Sequence, residues 1–448
     1  MNTLIEKYNI PCPRYTSYPT VPNWKQIPMG EEEWLQSVRQ NLAHFKQNKT
    51  AVYIHLPFCE SMCTFCGCHK RITKNHGVEG GYVDALLNEW QIYSDQFLLH
   101  IDDLHLGGGT PTFFSMEQLD RLLGKILGKQ KGQLDDCNFS FEGHPNHTKK
   151  EHLEGLYKWG FRRVSFGIQD YDQTVQKAIH RFQSFEQVQQ VHELAKKIGY
   201  KSISHDLVYG LPKQNWQGFK RSIELTLQLR PDRVSLYSYA HVPWIKGNGQ
   251  RGFDESDLPD NHEKRALYEG ARELFLDAGY IEIGMDHFAL PHDDLAIALK
   301  NKSLHRNFMG YTVQENNLLI GLGASSISDS YFAFAQNEKK VETYQELALQ
   351  GQVPIVKGHL LSAQDQQIRR NILDLMCQYE SELPSDPELT ANIRKQLEEL
   401  KEDGLILIED GKVRVLEEGE AFVRNVCRAF DQYIDHSQID NQTYSKAI

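Results

Sequence analysis

The stretch Ala51–Lys70, AVYIHLPFCESMCTFCGCHK, joins a strand to a cysteine loop. Its first six residues are β-branched, aromatic or apolar and stop at a proline, which reads as a strand with a break behind it. Directly after the break, Cys59, Cys63, Cys66 and Cys68 fall within ten residues, the first three spaced C-x3-C-x2-C. Thiolates at such short intervals let one loop wrap an iron–sulfur cubane. Three protein thiolates leave one iron open to a small molecule, whereas four close the site. Structural zinc is the alternative, with Cys68 or His69 as a fourth ligand. Such zinc sites usually pair two separated C-x2-C halves, and no second half occurs in the chain.

Outward from this loop, β-like runs alternate with amphipathic helical stretches between about residues 50 and 245. After AVYIHL come DDLHLGGGT from Asp102, NFSFEGH from Asn138, RVSFGIQD from Arg163, ISHDLVYG from Ile203 and RVSLYSYAHV from Arg233. YVDALLNEWQIYSDQFLL and SFEQVQQVHELAKKIG carry apolar residues at helical spacing between them. Regular β–α alternation implies a parallel sheet with helical crossovers, either a partial barrel or a doubly wound sheet. Both bind ligands at the C-terminal strand ends. Gly107 to Thr110, Glu142, Gln169, Asp206 and His241 stand at those ends.

The flanks differ in character. Residues 1–45 read as an arm with one short helix, EEEWLQSVRQNLAHF, and a proline-rich part, PCPRYTSYPTVP, that covers a cavity or packs on the surface. Residues 46–360 are expected to form the catalytic domain. Residues 361–448 read as a smaller, mostly helical module with a hairpin about Asp410-Gly411 and a last helix EEGEAFVRNVCRAFDQYI, winged-helix-like in order.

At 448 residues the chain is long enough for a large core, and 40% apolar with 24% charged residues is ordinary for a soluble globular protein. Neither a secretory signal nor a membrane span is expected, so the cytoplasm is the default. Clustered cysteines in such a chain argue against disulfides, and Cys12, Cys137, Cys377 and Cys427 read as structural. A net charge of −11 disfavours nucleic acid, and it obliges an anionic substrate to find a local basic pocket. The acidic run QLEELKEDGLILIEDG argues likewise against DNA binding by the C-terminal module.

With Phe65 before the third cysteine, and GGGTPT ending the second strand, the chain resembles the radical S-adenosylmethionine (SAM) superfamily. The resemblance implies an open partial (β/α)6 barrel and a [4Fe–4S] cluster on Cys59, Cys63 and Cys66. The open iron would chelate SAM, whose reductive cleavage gives a 5′-deoxyadenosyl radical. PRYTSYPT, HLPFCESMCTFCGCHK, LGGGTPT, FGIQD, DLVYGLPKQ, YAHVP, GMDHFA and LHRNFMGYT extend the likeness over almost the whole chain. Together they resemble the oxygen-independent coproporphyrinogen III oxidase family. Related heme carriers, the alternative reading, typically lack the fourth close cysteine and several C-terminal motifs.

That resemblance implies decarboxylation of two propionates of coproporphyrinogen III, an electron donor, a final electron acceptor and two bound SAM molecules. Tyr53, Gly108, Glu142 and Ala240 would contact the cluster-bound SAM, and Gln169, Arg181, Asp206 and Ile327 the second. Phe65, Gly109 and Thr110 would lie near one or both. Tyr53 and Cys68 are the catalytic candidates, with Cys68 needed for activity without holding the cluster. Arg14, Arg306 and His287 are candidates for the propionates. Gly143-His144 and Met309 depart from the family pattern. A monomer is expected.

Overall fold

The computed structural model describes residues 2–448 except 25–28, 47–48, 131, 133, 135–136, 244–248, 251, 436–443 and 445–448. The arm and the C-terminal module therefore each include positions outside the described residues. The six expected strands are all formed: β1 Thr50–Leu56, β2 Ile101–Gly108, β3 Asn138–Gly143, β4 Phe161–Gln169, β5 Ser202–Tyr209 and β6 Arg233–Ser238. They pair side by side, all parallel, in chain order. Most of their residues are buried, as a sheet covered on both faces requires.

The structure enlarges the expected six-stranded array. Two short strands, β7 Ile281–Gly284 and β8 His287–Ala289, close the β6 edge antiparallel. At the other edge β9 Leu318–Leu322 pairs with β1 as a seventh parallel strand, followed by antiparallel β10 Ile327–Asp329, β11 Ala333–Asn337 and β12 Ile355–Leu360. The order is β12-β11-β10-β9-β1-β2-β3-β4-β5-β6-β8-β7, an open sheet. β9 lay beyond the β–α alternation that announced the other six, and its five residues are all buried.

Helix Val78–Gln96 crosses from the cysteine loop towards β2 and ties β1 to the turn after β9. Tyr82 Oη donates to the His55 carbonyl (2.9 Å) and accepts from Ala324 N (2.9 Å). Two turns further on, the buried Glu89 carboxylate accepts from Gly323 N at 2.9 Å, Tyr344 Oη at 2.6 Å and Asn337 Nδ2 at 2.6 Å. Gly323 has φ +101°, and a Cβ there would stand 2.6 Å from the His55 carbonyl, so the turn packs directly on the strand that feeds the cysteines.

Two large cores are formed among the described residues, and they do not follow chain order. The larger surrounds the parallel strands and takes in Trp34, Leu35 and Val38 of helix Glu31–His44. The second joins Tyr8, Cys12, Tyr15 and Tyr18 of the arm to Ile372, Leu397, Val426 and Phe430 of the C-terminal module. The arm thus neither lies on the surface nor merely lids a cavity, because Cys12, Tyr15 and Tyr18 are buried. Arg424 holds it by donating to the carbonyls of Cys12 and Pro13. Residues 2–8 of the arm also form a helix that its sequence had not announced.

The C-terminal module consists of helices Ala363–Gln378 and Pro387–Glu402, a three-stranded antiparallel sheet, and helix Val423–Phe430. The hairpin turns at Asp410-Gly411, both with positive φ (48° and 75°), the conformation its two-residue loop needs. The expected last helix is shorter than its pattern, since residues 417–422 wind as 3-10 turns.

Candidate active site

The cysteine loop leaves the C-terminal end of β1 and is pinned at both sides. Thr64 N and Oγ1 donate to the Ile179 and Ala178 carbonyls (3.0 and 2.9 Å). Arg71 N and Thr73 N donate to the Pro57 and Cys59 carbonyls (2.8 and 2.9 Å). Cys59, Cys63 and Cys66 are half-buried and Cys68 is exposed, all free thiols. Thr110 Oγ1 lies 3.3 Å from Cys59 Sγ, and Arg181 Nη1 donates to Cys63 Sγ at 3.7 Å. A hydrogen bond from the Cys68 thiol lowers Cys66 to about 6, against burial, and the same contact raises Cys68.

Among the described residues no three His, Cys, Asp or Glu side chains converge on a single metal ion. Three free thiols on one loop are the donor set that holds an iron–sulfur cluster. Arg181 beside Cys63 adds a cation that favours the thiolate form.

The glycine turn docks against this loop. Gly109 N donates to the Leu56 carbonyl (2.8 Å) and Thr110 N to the Phe58 carbonyl (3.0 Å). A Cβ on Gly109 would stand 2.5 Å from Pro57 O, and one on Gly108 (φ +116°) 2.7 Å from the His55 ring. Gly109→Ala is therefore expected to destabilise the protein by about 1–3 kcal/mol, the usual cost of overpacking. Thermal unfolding checks it, and an unchanged midpoint would show that the contact is slack.

Beside the turn, Glu142 Oε2 accepts from Gly108 N at 3.2 Å, and Glu142 Oε1 lies 3.4 Å from His105 Nε2. Tyr53 stacks on His105, ring centroids 5.9 Å apart, and its hydroxyl meets His55 Nδ1 at 3.0 Å. A Cβ on Gly107 would come within 3.0 Å of both Glu142 Oε1 and Tyr53 Cε2, so the missing side chain holds room between them. Burial, with the negative Glu142 next, keeps the Tyr53 phenol well above its ordinary range.

A second group gathers on β4 and β5. Arg181 donates from Nη2 to the Gly167 carbonyl, and its buried Nε has no partner. A Cβ on Gly167 would lie 2.8 Å from Gln169 Nε2 and 3.1 Å from Arg181 Nη2, which puts Gln169 and Arg181 together. Gln169 stands at φ +70° where β4 ends, with Asp206 on the next strand opposite Gly167. Burial pushes the Asp206 carboxyl up to about 6, with the Ser165 hydroxyl drawing it back and the charge of Glu142 raising it further.

Phe65 and Ala240 are joined by a residue the sequence did not single out. Gln250 Nε2 donates to the Phe65 and Ala240 carbonyls (3.0 and 3.1 Å), and its Oε1 accepts from Val242 N at 2.7 Å. Gln250 is 2% exposed, so this bridge is internal. Ile327 stands apart, on β10 at the far side of β1 from β4 and β5, packed near Trp24 and Phe334. His55 and His105 were also missed. Strand alternation puts His55 on the Tyr53 face, but the pairing of Tyr53 with His105, and of His105 with Ser140, is a fact of register.

Of the departures, Gly143 has a local explanation, and nothing in the structure explains Met309. Gly143 has no room for a side chain, since a Cβ would meet Thr148 Oγ1 at 2.8 Å. His144 packs on His147, and burial first, then Arg181, pushes it down to about 2, leaving a neutral ring. Met309 occupies a tight hairpin, its N–H donated to Asn307 Oδ1 at 2.9 Å.

Residues 53–226 match the Radical SAM superfamily. The oxygen-independent coproporphyrinogen III oxidase of Helicobacter pylori (strain J99 / ATCC 700824) is 37% identical over 439 residues, covering 96% of this chain and 95% of the relative. The chain belongs to that family. Its member from Escherichia coli (strain K12) is 35% identical over 99% of this chain and 98% of its own length. The solved structure of the Escherichia coli coproporphyrinogen III oxidase, described as a radical SAM enzyme, superposes with a TM-score of 0.87 at 33% identity, covering 97% of this chain and 99% of that one. Family membership implies a [4Fe–4S] cluster and SAM. No described helix is long and apolar enough to cross a membrane.

Proposed function

We propose that this chain is a radical SAM oxidoreductase that converts two propionate side chains of coproporphyrinogen III to vinyl groups, giving protoporphyrinogen IX in heme biosynthesis. The family match over nearly the full length carries this reading. Per propionate the substrate gives up a hydrogen atom, CO2 and one further electron, which a separate acceptor must take. Cys59, Cys63 and Cys66 would hold the cluster, with Cys68 outside the ligand set. When bound, the cluster and SAM supply the electron and the carbon radical that make hydrogen removal possible.

The protein's own part is binding and orientation. Tyr53, Gly108, Glu142 and Ala240 would receive the cluster-bound SAM. The room beside Gly107 and the Glu142 carboxylate, which already holds the Gly108 N–H, suit a polar, cationic group. Gln169, Arg181 and Asp206 would take a second SAM, and the unpartnered Arg181 Nε supports a ligand there, whereas nothing in the structure brings the expected Ile327 to them. Phe65, Gly109 and Thr110 would touch one or both. We place the enzyme in the cytoplasm, as a monomer served by a separate electron donor.

The test is anaerobic. The chain, reconstituted with iron and sulfide, is given coproporphyrinogen III, SAM, dithionite and a soluble cell extract as the source of the electron acceptor, and products are followed by chromatography. Protoporphyrinogen IX, with methionine and 5′-deoxyadenosine, is the expected result. Stable heme binding without decarboxylation would overturn the reading in favour of a carrier.

A further inference from the structure

Arg306 is 3% exposed, yet it makes no ion pair. Its Nη2 donates to the Arg14 carbonyl at 3.4 Å and its guanidinium lies 4.7 Å from the centre of the Tyr311 ring. Nε and Nη1 are buried with no hydrogen-bond partner. Buried polar groups are nearly always satisfied, and a buried cation without an anion is costly. Two unanswered donors on such a group point to a missing anion.

Arg14, brought in by the N-terminal arm, stands on the same spot. Its Nη2 pairs with Asp286 Oδ2, while Asp286 Oδ1 lies 2.7 Å from His287 Nδ1. Burial would raise the Asp286 carboxyl, but Arg14 and His287, with Arg306 behind them, hold it well below the carboxylate range. Asp286 is thus paired with Arg14, and Arg306 acts on it only through space. The Arg14 side chain is 36% exposed, so an incoming group can reach it. Arg265 is a weaker candidate because Glu269 on its own helix already pairs with it.

The position suits the reaction. Asp286 and His287 lie where β8 pairs with β6, and Tyr237 of β6 packs on His287 with ring centroids 5.8 Å apart. Tyr237 in turn feels the charges of Asp206, Asp286 and Glu142. The surplus positive charge thus adjoins the carboxylates assigned to SAM. A chain of net charge −11 that binds a tetracarboxylate needs such a local pocket, and guanidiniums take carboxylates in two-pronged fashion.

We propose that Arg14 and Arg306, set around Asp286, form the subsite that receives a propionate carboxylate of the substrate; this rests on the reaction proposed above. Arg14 meets the carboxylate from the accessible side, and Arg306 supplies charge and holds the arm in register through the Arg14 carbonyl.

The experiment uses the reconstituted holoenzyme and the variants Arg14→Met, Arg14→Lys and Arg306→Met. Steady-state rates with coproporphyrinogen III are combined with fluorescence binding of coproporphyrin III and of its tetramethyl ester. Arg14→Met should raise KM and weaken coproporphyrin III by about tenfold or more, the loss of a charge-assisted hydrogen bond. Ester affinity, iron content and kcat should stay near wild type, and Arg14→Lys should recover most of the loss. Arg306→Met should act in the same direction; if it fails to fold, the half-exposed Arg14 still decides the matter. Equal losses for acid and ester, or no change in either, would overturn the subsite. A wild-type enzyme that decarboxylates nothing would instead sink the reaction on which the subsite rests.

Discussion

Replacing Cys59, Cys63 or Cys66 by serine, one at a time, is expected to abolish cluster assembly and all turnover while leaving the fold in place. A serine hydroxyl does not ionise near neutral pH and is a hard oxygen donor, whereas iron–sulfur clusters are held by thiolates. None of the three side chains belongs to either large core, so removing one sulfur leaves the packing of the sheet untouched. The loop itself is fixed by backbone contacts, from Thr64 to the 178–179 segment and from Arg71 and Thr73 to 57–59. Iron and sulfide per chain, the visible cluster band and the far-ultraviolet circular dichroism check these three points separately. Cys68→Ser is the control, since it should keep full iron and its visible band while losing activity. Loss of iron in that variant would make Cys68 a ligand.

Glu89→Leu is expected to cost about 3 kcal/mol or more, because Gly323 N–H, Tyr344 O–H and Asn337 Nδ2–H would each lose a buried acceptor. Glu89→Gln is milder and reads out the charge. Burial raises the Glu89 carboxyl to about 7, with the hydrogen bond from Tyr344 the largest opposing effect. A folded value above the unfolded one means that the native state keeps its proton longer than the unfolded chain. The contribution of Glu89 to stability is therefore greatest below about 4.5, declines as pH rises to about 7, and is level beyond. The decline amounts to about 3 kcal/mol. Glu89→Gln lacks it, so its melting temperature relative to wild type should rise between pH 5 and pH 8. Parallel curves for the two proteins would show that Glu89 keeps one protonation state throughout. Since the Gly323 turn packs on His55, the Leu variant should also disturb the cysteine loop, seen as slower cluster incorporation.

Much of the candidate site was legible because its signals are local. Cysteine spacing, a glycine turn and strand-ending carboxylates are short-range consequences of the chemistry they serve, and all fall at the C-terminal ends of parallel strands. The partnership of His55 with Tyr53 was within reach, since residues two apart share a strand face. Gln250 was not. Its two carbonyls belong to residues 65 and 240, and no local pattern announces a glutamine that must span them. β9 escaped for a related reason, as a short apolar run reads the same in any buried element.

What the sequence determined by itself is the chemistry of the cysteine loop and the β–α alternation that presents it. Both follow from side-chain type and periodicity over a few residues. Only the tertiary structure decided that β9 closes on β1, that the arm is buried against the C-terminal module, and that Arg14 pairs with Asp286 while Arg306 holds the Arg14 carbonyl. Those contacts join residues hundreds of positions apart. They arise from burying apolar surface and answering buried charge, balances that are struck across the whole fold and leave no mark in any one stretch of chain.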